Sequence, residues 1–157
     1  MRMRTTKRKG FSLIELVIVV VIIAIIGAIA IPRMSRGAAG AADSALTANL
    51  AVLRGAIDLY QTEHGGLYPT IDDIVEQLTT YTDEKGNTNA TKTTTFIYGP
   101  YLRKVPALPV GAKKGATGIA AADGQGVGWI YDAASGTIRA NTDDQEVDAR
   151  GVKYNTY

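Results

Sequence analysis

The sequence predicts an α+β chain: a long N-terminal helix, membrane-type in its first half and amphipathic in its second, packed on a small antiparallel β-sheet. Three observations carry this. From Val17 to Ile31 no residue bears a charge. Leu46, Leu50, Leu53, Ile57 and Tyr60 then recur at spacings of 4, 3, 4 and 3, the period of a helix with one apolar face. Towards the C-terminus, Trp129-Ile130-Tyr131-Asp132 and Thr137-Ile138-Arg139-Ala140 flank Ala133-Ala134-Ser135-Gly136, a β-hairpin by alternation and turn chemistry.

Residues 1–10 form a basic leader. Arg2, Arg4, Lys7, Arg8 and Lys9 are unopposed by any acid, which places this end on the cytoplasmic side of a membrane. Residues 11–31 are the expected transmembrane half of the helix, 21 residues and about 31 Å of rise, one bilayer core. A secretory signal peptide would have a shorter apolar run followed by a small-residue cleavage site. Here Ile31-Pro32-Arg33-Met34 follows the run, and the small residue, Gly10, precedes it. A plain single-pass anchor explains the length and the flanking charge but leaves Glu15 without a purpose. A carboxylate in such a segment costs about 2–3 kcal/mol or more and marks a functional residue whose partner must be found.

Pro32 cannot donate the helical hydrogen bond and is the expected kink. Residues 32–64 are the amphipathic half, about 80 Å from residue 11 if the helix is continuous, and His64-Gly65-Gly66 supplies the stop. Residues 65–157 make a globular α/β region packed on 41–64. It opens with Leu67-Tyr68-Pro69-Thr70 and a helix over 71–81, with Thr70 and Asp73 as a capping box and Ile71, Ile74, Val75 and Leu78 as its apolar face. The polar run 82–95 reads as a surface loop. Phe96 to Pro106 and a Gly/Ala-rich loop over 111–128 then lead into the hairpin.

Composition narrows the function. The formal charge of +2 is set by the five leader cations; beyond residue 10 the chain has 12 basic and 15 acidic side chains, a balance of −3. That removes the basic face nucleic-acid binding needs, so no nucleic acid is expected. With no cysteine, disulfide stapling and thiol chemistry are excluded. The single histidine, His64, is explained by helix termination, and Asp72-Asp73 by a helix N-terminus rather than a catalytic dyad. No nucleophile elbow, phosphate loop or spaced His cluster is present. Tyr60, Tyr68, Tyr98, Tyr101 and Tyr131 read as core and interface aromatics. The chain is expected not to be an enzyme and to hold no cofactor, with one open point. Asp143, Asp144, Glu146 and Asp148 are hard oxygen donors suited to Ca²⁺, and equally a solvated charge cluster.

Gly10-Phe11-Ser12-Leu13-Ile14-Glu15-Leu16, the apolar stretch and Ile31-Pro32 together resemble the N-terminal signature of type IV pilins and type II secretion pseudopilins, and imply a pilin-like fold. The resemblance implies cleavage between Gly10 and Phe11 by a membrane-embedded prepilin peptidase and N-methylation of Phe11. It also makes Glu15 the assembly carboxylate. A freed Phe11 amine would meet Glu15 of a neighbouring subunit, since an unpaired buried charge is far worse than a pair. Tyr68-Pro69-Thr70 and Pro100-Tyr101-Leu102-Arg103-Lys104-Val105-Pro106 resemble the framework of major type II pseudopilins. The chain departs from that family at Ala107-Leu108-Pro109-Val110-Gly111, where the family continues Asp-Pro-Trp-Gly, which puts its C-terminal calcium loop in question here. Many type IV pilins carry a C-terminal disulfide loop, so the missing cysteines also point to a pseudopilin.

What this implies is a structural subunit of a periplasmic pseudopilus that polymerises through its N-terminal helix to drive type II protein export. Its partners would be further copies of itself, minor pseudopilins and an inner-membrane assembly platform. It would sit in the bacterial inner membrane as a single-pass protein with its head in the periplasm. The alternatives are a type IV pilus subunit for adhesion, motility or DNA uptake, and a membrane-anchored pilin-like protein that does not polymerise.

Overall fold

The computed structural model describes residues 10–157, without the side chains of 29–38. The chain divides between Ala38 and Ala39 into two compact units. Helix α1, Leu13–Glu63, contributes to both. The expected kink at Pro32 falls in the stretch whose side chains are outside the described residues.

In the first unit, helical residues 13–28 are Leu, Ile, Val and Ala apart from Glu15 and Gly27. The helix starts two residues later than expected, at Leu13, because Ser12 takes the capping position: the Leu16 N–H bonds the Ser12 carbonyl at 3.2 Å. Among the described residues no helix is long and apolar enough to cross a membrane. The expected span runs to Ile31 and so includes residues 29–31, whose side chains are not described.

The second unit is built on the later part of α1. Its one-sided stripe closes the core: Leu46, Leu50, Leu53, Ile57 and Tyr60 are all buried, with Ala56 beside them, while Val52 and Leu59 face out. Helix α1 ends as expected. Gly65 and Gly66 take positive φ, and the Gly66 N–H reaches back to the Gln61 carbonyl at 2.8 Å, a Schellman-type closure.

Helix α2 is Ile74–Thr79, shorter than the expected 71–81. The capping box does not form: Asp73 takes the N-cap position without a side-chain capping bond, and the Thr70 hydroxyl donates to the Asp73 carboxylate at 3.3 Å. The reason lies further along the chain. Gln77 accepts the Thr70 N–H at 2.9 Å and donates to the Gly86 carbonyl at 3.0 Å, tying Thr70 to the following loop instead. That loop is itself more ordered than expected. Strand β1, Tyr81–Thr82, pairs antiparallel with β2, Thr88–Asn89, across an Asp83 turn whose carboxylate accepts the Lys85 and Asn87 N–H groups at 2.9 Å.

The main sheet has the order β3-β4-β5. The expected hairpin is present: β4, Val127–Asp132, pairs antiparallel with β5, Thr137–Ala140, in register Trp129↔Ala140 and Tyr131↔Ile138. These four residues share one face (period 2) and are buried in the same core as the α1 stripe. A third strand beside the antiparallel pair makes this sheet mixed. Strand β3, Gly118–Ala120, lies inside the Gly/Ala-rich run and pairs parallel with β4. Small residues permit this: a Cβ at Gly118 would come within 2.7 Å of the Gly126 carbonyl oxygen. The whole is α+β and pilin-like.

Candidate functional site

The chemistry-bearing residues expected at the N-terminus sit at the start of α1. Gly10 and Phe11 precede the helix, no described residue crowds Gly10, and Phe11 is 84% exposed. Glu15 lies in the first helical turn, where its Oε2 accepts the Ser12 backbone N–H at 2.9 Å. This is the Glu half of a capping box, Ser12-x-x-Glu15, visible in the sequence and missed there because the apolar run dominated the reading. The carboxylate also faces the positive end of the helix dipole. From Leu13 to Ile26 the large apolar side chains are exposed on every face of the helix. An apolar surface of that extent marks an interaction face, whether for lipid or protein.

The head offers no comparable reactive grouping. His64 stacks on Tyr60 at a centroid distance of 3.8 Å, and its Nδ1 lies 2.9 Å from the Tyr60 carbonyl oxygen. Tyr101 donates to Glu63 at 2.6 Å, closing an aromatic cluster over the helix end. Burial, then the Glu63 contact, holds the Tyr101 hydroxyl far above its usual range. Of the five expected core aromatics, Tyr60 and Tyr131 are buried, and Tyr68, Tyr98 and Tyr101 are half-buried. Tyr131 donates to the Pro69 carbonyl at 3.0 Å, and burial raises its pKa as well. These are packing roles.

The four C-terminal acids are drawn apart. Asp144 accepts from Lys153 and Asn155, both at 2.8 Å. Glu146 accepts the Ala112 N–H at 2.5 Å and the Asp143 N–H at 2.9 Å. Asp148 is buried, and the Tyr157 hydroxyl, first among several donors, holds its carboxyl well below the usual carboxylate range. Among the described residues no group of three or more His, Cys, Asp or Glu side chains could hold a metal ion. Calcium requires six to eight converging oxygens, and the Asp144, Glu146 and Asp148 carboxylates are taken up by separate donors of the chain instead. The donor set does not fit the ion.

Residues 5–31 match a family described as the prokaryotic N-terminal methylation motif. The match takes in the basic leader, both sides of the Gly10–Phe11 bond, Glu15 and the apolar stretch. The match supports a prepilin-like signature, and with it a type IV pilin-like or pseudopilin protein. No curated protein and no solved structure matches the chain.

Proposed function

We propose that this chain is a structural subunit of a periplasmic pseudopilus in a type II secretion system. The observation that carries the reading is the prepilin-like signature over residues 5–31. The absence of cysteine and the Tyr68-Pro69-Thr70 and Tyr101 to Pro106 segments favour a pseudopilin within that class. In this reading the leader directs insertion, and residues 11–31 hold the protein in the inner membrane with the head outside the cytoplasm. A prepilin peptidase cuts after Gly10 and methylates the new Phe11 amine. Subunits then leave the membrane for a filament in which their apolar helices cover one another, and growth of the filament pushes cargo outward.

Glu15 sets the stagger between subunits. Within one chain its carboxylate already serves Ser12, at the same helix end that carries the Phe11 amine. A neighbour displaced along the filament brings a second amine to the same carboxylate, and pairing there avoids an isolated buried charge. Methylation retains the amine's charge, so the pair survives it. The rival reading, a type IV pilus subunit, draws on Ala107-Leu108-Pro109 standing where major pseudopilins have Asp-Pro-Trp-Gly.

Glu15→Gln separates the two roles of this residue. Glutamine still accepts the Ser12 N–H, as capping-box glutamines do, but carries no charge. The expected result is normal insertion and cleavage with filament yield in sheared or overexpressed fractions reduced at least tenfold. Wild-type yield would refute the register role and leave Glu15 a helix cap.

A further inference from the structure

We propose that the C-terminal segment 143–157 is closed by a cation the chain supplies itself, Arg150, and that it is ordered without any divalent metal. The proposal rests on the head alone and holds whichever filament the chain builds.

The Asp148 carboxylate is the centre of the segment, its side chain 1% exposed. Its Oδ1 accepts the backbone N–H groups of Arg150 and Val152, each at 2.8 Å. Its Oδ2 accepts Arg150 Nε at 2.8 Å and the Tyr157 hydroxyl at 2.6 Å. Two oxygens with four donors leave no lone pair for an ion. The donors also occupy the directions from which a metal would have to approach. Arg150 acts as the resident counter-ion: one face of its guanidinium fork holds Asp148, and its terminal nitrogen donates to the Tyr157 hydroxyl at 3.0 Å.

This closure docks the segment on α1. Tyr154 donates to Asp43 at 2.7 Å, and Arg54 donates to the Tyr157 carbonyl at 2.5 Å. One neighbouring acid is neutralised the same way, Asp144 by Lys153 at 2.8 Å. A loop of four acids would repel itself without a cation. Here that role falls to Arg150, two residues from Asp148, and to Lys153, nine residues from Asp144: both cations come from the same segment.

Hydrogen exchange read by mass spectrometry on the full chain in detergent micelles tests this. In the wild type, peptides from 143–157 are expected to exchange at the same rate in millimolar Ca²⁺, the range in which extracellular calcium sites fill, and in chelator. Arg150→Gln should speed their exchange on the order of tenfold, the scale of one lost charge-assisted bond on a mostly exposed side chain. Millimolar Ca²⁺ should not restore the rate. Peptides covering β4 report whether the fold is intact, and Tyr157→Phe, which removes one donor and no charge, supplies a milder second variant with the same direction. Slower wild-type exchange in Ca²⁺ than in chelator, or rescue of Arg150→Gln by Ca²⁺, would overturn the proposal. So would an Arg150→Gln segment as protected as the wild type.

Discussion

Leu53→Ala tests which face of α1 builds the head, and its neighbour Val52 is the built-in control. Leu53 is fully buried in the core that also contains Leu50, Ile57, Trp129 and Ile138. Truncation loses the transfer free energy of the removed carbons and leaves a cavity that a helix and a sheet cannot easily collapse around. Leu→Ala changes in such sites cost about 3–5 kcal/mol. For a unit of this size each kcal/mol shifts Tm by about 3–6 °C, so a fall of roughly 10–30 °C is expected. Val52 is 53% exposed on the opposite face, and Val52→Ala should stay within about 0.5 kcal/mol. The assay is thermal unfolding of the full chain in micelles, followed by the fluorescence of Trp129. This is the only tryptophan; it is fully buried, and its indole N–H is bonded to the Pro106 carbonyl at 2.8 Å. Equal losses in the two variants, or a larger one for Val52→Ala, would refute the assignment of the core face.

Three further outcomes are expected. Intact mass of membrane-extracted protein should show a chain beginning at methylated Phe11, and Gly10→Val should leave the leader attached by denying the peptidase close approach to the backbone; an unprocessed wild-type chain would remove the prepilin reading. Gly136 has φ +71°, and a Cβ there would collide with the Tyr68 ring. Gly136→Ala should therefore cost about 2–3 kcal/mol of strain and displacement, and an unshifted melt would show that the hairpin turn relaxes freely. Burial, with the Asp43 bond next, pushes the Tyr154 hydroxyl from 10.0 up to about 12. A raised pKa favours the protonated form in the folded state, so this contribution is complete below pH 10 and is lost as pH rises through about 12. Tyr154→Phe should flatten part of the alkaline fall in stability, the rest coming from Tyr60, Tyr101 and Tyr131, whose pKa values are also raised. An alkaline limb identical in both proteins would count against it.

The N-terminal signature was legible because it is a short linear motif, with all of its residues within about twenty positions of Gly10. The α1 stripe and the β4-β5 hairpin were legible for a related reason. Each is a local period, 3.6 or 2, that burial on one side imposes on consecutive residues. The Ser12-x-x-Glu15 cap was equally local and equally present.

Strand β3 was not legible, because Gly118-Ile119-Ala120 has no pattern of its own and becomes a strand only when β4 arrives beside it. The short α2 follows the same logic, since the Gln77 bonds to Thr70 and Gly86 outcompete a local cap. The C-terminal acids show it most plainly. Asp143, Asp144, Glu146 and Asp148 look alike in sequence, as ligands or as solvated charge, and composition cannot distinguish the two. Folding distinguishes three of them by bringing Ala112 to Glu146, Lys153 and Asn155 to Asp144, and Arg150 and Tyr157 to Asp148. Which donor reaches which oxygen depends on the path of the chain through space, and no local pattern of residues encodes that path.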